Sequence, residues 1–326
     1  MVRAIATKTR RSASPARTEP VPTAAAAAPV HCLVFGASGA IGRFLLPRLH
    51  AAGARVTAVS RRERGGTAHG VRWITGDLDG VLALDGIAPP QVLYSLGPLD
   101  AFARWLGRMP PGWQPRVVAV GSMSIDSKRD SPDAAERDVA ARLARAEHAL
   151  AETAALRGCA WTVLRPTLVY GAGVDRSLTP LVRLAHRWHV FPQLAGADGL
   201  RQPVHAADLA KACLAVAGEP ASAGRAYATG GGERLAFGDM LARVRASLPW
   251  HALPIPLPLA ALHAGAALAR AAGRSALVGA VARLRQDLVA DNVPAQRDFG
   301  WSPRAFHPTA ADWGAATGGP RAQAKD

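Results

Sequence analysis

The sequence predicts an α/β fold built on a doubly wound parallel sheet, and three observations predict it. From Val30 onward, short β-rich runs alternate with helical stretches. Those runs are apolar without polar alternation, as parallel strands covered on both faces must be. Between the first run and the first helix stand three glycines, Gly36, Gly39 and Gly42, where such folds place their tightest turn.

The elements follow in order. "HCLVFG" is the first strand, and "AIGRFLLPRLHAAG" a helix stopped at Gly53. "RVTAVS" and "VRWITG" are the second and third strands, "QVLYSL" and "RVVAVGS" the fourth and fifth. An alanine-rich helix runs from Asp133 to Arg157, and "AWTVLRP" is the sixth strand. Beyond Pro166 the rhythm loosens into loops, Pro, Gly and helices, which suits a cap over the carboxyl ends of the strands. The expected organisation is therefore a disordered basic tail over residues 1–29 and a core over 30–165. A mixed region over 166–310 completes the core and forms the cap, and 311–326 is a flexible tail.

At 326 residues and 49% hydrophobic composition, the chain can bury a sizeable core. Its net charge of +15 raises the question of nucleic acid. Only Lys8, Lys128, Lys211 and Lys325 are lysines, and the arginines are scattered without a basic block or interleaved aromatics. Such a pattern gives non-specific attraction and no specific nucleic-acid site. Cys32, Cys159 and Cys213 sit in or beside apolar segments without metal-ligand spacing. They read as buried thiols of a reducing cytoplasm, with no metal expected. The first 29 residues carry basic side chains but no apolar h-region, which excludes a secretory signal. No window supplies the ~18 apolar residues of a membrane span. "LPLAALHAGAALA", Leu257 to Ala269, reads as a packed helix, with peripheral membrane contact as its second reading.

The glycine triplet carries the first chemistry. A strand-to-helix turn at this point needs residues that tolerate positive φ. The backbone must also come close to a pyrophosphate, which the free N–H groups and dipole of the helix N-terminus then hold. Gly36, Ser38, Gly39, Ala40, Ile41 and Gly42 are the expected cradle of a Rossmann-type dinucleotide fold. At the end of the second strand an acidic residue would grip the adenosine ribose; Ser60, Arg61 and Arg62 stand there instead. Two guanidiniums and a hydroxyl suit the 2′-phosphate of NADP, so NADP is expected in preference to NAD. Solvated loop arginines are the competing reading. Asp77, followed by Leu78, closes the third strand, where a carboxylate either accepts from the adenine amine or caps a helix.

With the glycine loop, "TGDL", "VVAVGSMSI", "AEHAL", "TVLRPTLVYGAG" and "QPVHAADLAKA" in order, the chain resembles the extended short-chain dehydrogenase/reductase family. That family includes NAD-dependent epimerases and dehydratases of nucleotide sugars. The resemblance runs from about Val30 to Pro308 and includes the closing "DFGWSPRAFHP". It implies that Arg165, Pro166 and Val169 line the nicotinamide, with Ser95, Leu96 and Gly97 also on the cofactor. It further implies substrate contacts from Arg176, Arg201 and, as a minor reading, His205. Asp208 reads as a helix-start residue. The resemblance also implies a homodimer through the helices after strands four and five.

The catalytic pattern of that family breaks in this chain. Its members use a tyrosine as general acid or base and a lysine four residues later that lowers the phenol's pKa. The tyrosines here are Tyr94, Tyr170 and Tyr227, and none has a lysine four positions on. Registered on "AEHAL", the pair falls near Val139 and Leu143. The expected catalytic residues reduce to the hydroxyls Ser122 and Ser124 and to Tyr170. Arg142 or Arg145 is the candidate for the lysine's ribose contact. Two functions follow. One is an NAD(P)-dependent, epimerase/dehydratase-like oxidoreductase acting on a nucleotide-sugar-type or other small polar substrate. The other is a catalytically silent NADP-binding structural or redox-sensing protein that engages a protein partner.

Overall fold

The computed structural model describes residues 28–314, except 65, 66, 69, 81, 176, 272–280 and 282. The chain runs β1 (His31–Phe35), α1 (Ala40–Ala51), β2 (Arg55–Ser60), β3 (Thr67–Ala68), β4 (Val71–Thr75), β5 (Val92–Ser95) and α2 (Leu99–Gly107). It continues with β6 (Arg116–Val120), α3 (Ser124–Ser127), α4 (Ala134–Leu156), β7 (Trp161–Pro166), β8 (Val169–Tyr170) and α5 (Thr179–Trp188). Next come β9 (Val190–Ala195), β10 (Leu200–Arg201), β11 (Val204–His205), α6 (Ala206–Gly218) and β12 (Arg225–Thr229). The chain then forms β13 (Leu235–Ala236), α7 (Phe237–Ala246), β14 (Leu253–Pro258), α8 (Leu259–Ala271), α9 (Val293–Phe299) and α10 (Ala310–Trp313).

The main sheet has the order β12-β7-β6-β5-β1-β2-β4-β3, and all but the short β3 run parallel. This seven-stranded parallel sheet is the doubly wound α/β fold that the sequence predicts. From β1 the chain winds outward through β2 to β4, then returns to β1's other side as β5 and winds the opposite way. The reversal opens a crevice between the carboxyl ends of β1 and β5.

Helices cover both faces. On one, Ile41, Leu45 and Leu49 of α1 and Leu209, Cys213 and Val216 of α6 bury against Cys32, Val34 and Val56. Pro47 lies inside α1 and deprives it of a backbone hydrogen bond at a cost of about 3 kcal/mol. Full burial of Leu45 and Leu49, worth about 1.5–3 kcal/mol each, offsets that loss. On the other face, Phe102, Trp105 and Leu106 of α2 and Ala146, Leu150 and Ala154 of α4 pack on Leu33, Phe35 and Val117. Asp133 caps α4 by accepting from the Ala135 amide at 3.0 Å.

Helix α2 has 9 residues, most of them buried. One expectation about the chain's organisation needs correction. The flexible C-terminal tail does not begin at residue 311. Thr309 and Asp312 form a reciprocal capping box for α10, and Trp313 is fully buried against Tyr170 and Phe306. Residues 1–27 and 315–326 of the expected tails lie outside the described residues.

Candidate functional site

The glycine loop stands at the β1/β5 crevice. Gly36 has φ +71°, and a Cβ there would lie 2.8 Å from the Leu96 carbonyl carbon and 2.9 Å from the Gly97 nitrogen. A Cβ on Gly42 would collide with the Ala37 backbone, so the helix can start this close to the loop only as glycine. Gly39 precedes α1 without a side-chain cap, and the helix's first hydrogen bond runs from the Arg43 amide to Gly39 O. The first-turn amides, Ala40 to Gly42, therefore remain free to donate to an anion. Ser95, at the end of β5, is fully buried, and its hydroxyl has no partner. An orphaned hydroxyl costs free energy unless something accepts or donates to it. These features fit a dinucleotide lying across the crevice.

Ser60 ends β2 and its hydroxyl accepts from the Arg62 amide at 3.2 Å. Arg61 and Arg62 are exposed, and neither guanidinium meets a carboxylate among the described residues. Asp77 does not cap a helix: it bends the loop after β4 by accepting from the Asp79 amide. Leu78 is buried in the core and its carbonyl accepts from Arg108 at 2.6 Å.

Ser122 and Ser124 follow β6, with the Ser122 hydroxyl accepting from the Ser124 amide at 3.1 Å. The Met123 amide donates to Pro166 O at 3.0 Å, which ties this serine turn to the end of β7. Alongside lies the inner face of α4. Val139 and Leu143 are half-buried there, near the positions where the resemblance expects tyrosine and lysine. One turn further on, Glu147 clasps Arg165 through two hydrogen bonds, the Nε to Oε2 contact being 2.9 Å. Asp126 approaches the same guanidinium at 3.8 Å. Hydrogen bonding to Glu147 holds the Arg165 pKa above its usual value. One turn before Val139, Glu136 accepts from Ser131 and pairs with Arg283 and Lys128. Burial and the neighbouring Arg283 push the Lys128 ammonium below its ordinary pKa. Sequence reading missed both clusters. The signal available was Glu147 at four residues beyond Leu143, on one helical stripe with Glu136 and Val139.

Several side chains expected to meet ligand are committed inside the protein. Tyr170 is 1% exposed, with its ring edge-on to His205 and Phe306 at 5.0 and 4.9 Å. Burial, reinforced by Asp312, drives its phenol further above the ordinary range, the wrong direction for an acid/base group near neutral pH. His205 is the N-cap of α6: its Nδ1 accepts from the Ala207 amide, and its Nε2 meets Asp312 at 2.9 Å. Both ring nitrogens are used, which leaves no ligand contact. Arg201 is buried with its guanidinium on the carbonyls of Leu200, Arg283 and Gln286 and its plane over Phe237. Desolvation lowers its pKa to about 10. It fastens the C-terminal segment and does not face a substrate. Arg165 likewise spends its head group on Glu147. Arg142 lies 3.6 Å from Asp100, and Arg145 is exposed. Asp208 sits in the first turn of α6 but does not cap it; it binds the Arg304 amide and guanidinium. Val169 pairs with Val204 between β8 and β11. Arg176 lies outside the described residues. No cluster among the described residues could hold a metal ion.

The model of the NAD dependent epimerase/dehydratase family matches residues 32–98 and 124–230, more than half of the chain. The chain belongs to that family. No curated protein matches it. Among solved structures, this family member is similar to MoeE5 in complex with UDP-glucuronic acid and NAD, at 20% identity and a TM-score of 0.63, covering 85% of this chain and 94% of the other. It is similar to the UDP-glucose 4-epimerase of Thermotoga maritima, solved with UDP-glucose, at 13% identity and TM-score 0.64, covering 89% and 98%. It is also similar to Bordetella bronchiseptica WbmF in complex with NAD+ and UDP, at 13% identity and TM-score 0.62, covering 89% and 91%. At these identities the likeness concerns the fold. The matched segments include the glycine loop, the inner face of α4 and the "RP" end of β7. Val139 and Leu143 lie inside the second matched segment.

Proposed function

We propose that this chain is an NADP-binding, epimerase/dehydratase-like oxidoreductase acting on a nucleotide-sugar-type or other small polar substrate in the cytoplasm. The observation that carries the reading is the crevice itself. Gly36 and Gly42 have no room for a side chain, the α1 amides are free, and the Ser95 hydroxyl lacks a partner. In this assignment the amides of Ala40 to Gly42 hold the pyrophosphate beside Ser38 and Gly39, and Ser95, Leu96 and Gly97 line the crevice beside it. Asp77 and Leu78 flank the adenine, and Ser60, Arg61 and Arg62 receive the 2′-phosphate. Pro166 and Val169, with the backbone of Arg165, line the nicotinamide end. The bound dinucleotide supplies the hydride chemistry. The protein's own part is to orient the substrate. Ser122 and Ser124 offer it hydroxyls, and Val139 and Leu143 exclude water from one side. Bound UDP-glucose or UDP-glucuronic acid in the similar structures supports the substrate class, and three buried free cysteines support a reducing compartment.

The second reading, a silent NADP-binding protein, is favoured by one observation: the half-buried Val139 and Leu143 cannot exchange protons. Purified protein titrated with NADPH and NADH, then assayed with UDP-sugars at the nicotinamide absorbance, separates the two. Saturable NADPH binding with turnover supports the enzyme. Binding without turnover over a panel of UDP-sugars and other small polar alcohols and ketones supports the silent protein. Failure to bind either dinucleotide overturns both.

A further inference from the structure

A second surface, formed by the C-terminus of α5, β14 and the outer stripe of α8, has a composition unlike the rest of the molecule. Leu184 and Trp188 stand one turn apart on α5, and Trp188 is 60% exposed. The Leu253 amide donates to His189 O at 2.8 Å, which sets β14 directly beside the end of α5. Leu253 and Ile255 are exposed along β14. Where β14 gives way to α8, Leu262 and Ala266 pack inward against Ala197 and Leu284. The opposite stripe, Ala260, Ala264, Ala267 and Leu268, is exposed. An outward helical stripe normally carries charge; from Leu253 to Ala269 there is no Asp, Glu, Lys or Arg.

Two further features narrow the occupant. The first is charge. Between Asp175 and Asp198, and again between Asp239 and Asp287, the sequence contains no acidic residue. Cations border the apolar patch: the Arg187 guanidinium lies 5.4 Å from the Trp188 ring. Arg245 reaches the Ala252 carbonyl beside Trp250 and His251. Two copies of an apolar face bordered by arginines would set like charges against each other, whereas an anionic surface would be attracted. The second feature is the edge of β14. Leu253, Ile255 and Leu257 turn their amides to β9 in the parallel pairing. The alternate residues, whose amides would point outward, are Pro254, Pro256 and Pro258. The free edge therefore offers no N–H donors, which blocks strand addition by a protein partner. Exposed Trp and aliphatic side chains with flanking arginines, on segments free of acidic residues, are what a lipid interface selects.

We propose that this face rests on the surface of an anionic lipid bilayer. The side chains of Trp188, Leu253, Ile255 and Leu268 reach the acyl boundary, and Arg187 and Arg245 lie among the headgroups. Among the described residues no helix is long and apolar enough to cross a membrane, so the contact is peripheral.

The test is sedimentation of the full chain with vesicles of phosphatidylcholine plus phosphatidylglycerol, and with vesicles of phosphatidylcholine alone. The expected result is binding to the anionic vesicles only, weakened by salt. The Trp188→Ser/Ile255→Ser variant should weaken it by about tenfold or more, the loss anticipated from two buried apolar side chains. Arg187→Glu, which alters one exposed side chain, should weaken it in the same direction while leaving the melting temperature unchanged. NADPH binding should be unaffected by all of these substitutions. Three results would overturn the proposal. One is no binding to anionic vesicles. Another is binding that the variants leave intact, which would place the contact elsewhere, as in the basic first 29 residues. The third is a dimer that the Trp188→Ser/Ile255→Ser variant dissociates without any vesicle binding, which would assign the face to a second copy of the chain.

Discussion

The glycine loop and the inner face of α4 flank the same crevice, and this chain has treated them in opposite ways. The loop has what a backbone phosphate cradle needs: Gly36 in the left-handed region, Gly42 against the Ala37 backbone, and α1 uncapped by any side chain. α4 is a helix of 23 residues, and Val139 and Leu143 stand on it near where the resemblance puts tyrosine and lysine. The difference lies in what each part is made of. A phosphate cradle is built from backbone, so losing it means rebuilding the fold around β1 and α1. A tyrosine–lysine pair is two side chains on a helix that forms without them. Fold and cofactor site are thus bound together, while the reaction is separable from both.

The sharpest way to break this contrast is at the loop. Gly36→Val combines a strained positive φ with contact against the Leu96 and Gly97 backbone, a cost of roughly 3 kcal/mol or more. NADPH affinity should fall at least about a hundredfold by calorimetric titration, with a lower melting temperature. The Val139→Asn/Leu143→Gln pair should leave NADPH affinity within about threefold, because the cradle is backbone.

Arg61→Ala/Arg62→Ala sharpens the cofactor side. Removing charge-assisted bonds to the 2′-phosphate should weaken NADPH by about tenfold to a hundredfold and leave NADH unchanged. Equal losses for both dinucleotides would remove the NADP preference.

Smaller effects come from the ion pairs that hold the second half of the chain on the sheet. Burial works to raise the Asp208 pKa, but its hydrogen bonds to Arg304 outweigh that and hold it below the ordinary value. A depressed folded pKa adds stability above the unfolded value of about 3.9, and that stability is lost as pH falls through the folded pKa. Asp208→Asn should therefore cost about 1–2 kcal/mol at pH 7, the exposed half of Arg304 limiting the effect. It should also flatten the loss of stability as pH falls through the acidic range in urea titrations. The smallest expected effect is Tyr170→Phe: with the ring enclosed by His205 and Phe306, turnover should stay within about twofold. A loss of a hundredfold would return Tyr170 to the catalytic residues.

What the sequence made legible follows the same division. The strands β1, β2, β4, β5, β6 and β7 were readable because each centres on a short cluster of apolar and β-branched residues. The glycine loop was readable because backbone constraint leaves a residue-type signature. β12, "RAYAT", is short and partly polar, and it becomes the seventh strand only by pairing with β7. Arg201 and His205 look like ligand residues in sequence because the carbonyls of Arg283 and Gln286 and the carboxylate of Asp312 lie some eighty to a hundred residues away. Trp313 reads as tail until its pocket beside Tyr170 and Phe306 is assembled. In each of these cases the deciding partner is distant in the chain, so no local pattern records it.

The most direct measurement of the central claim is calorimetric titration of the wild-type protein and Gly36→Val with NADPH. The account predicts one saturable site in the wild type, tighter for NADPH than for NADH, and its loss in Gly36→Val. A wild-type protein that binds neither dinucleotide would contradict it.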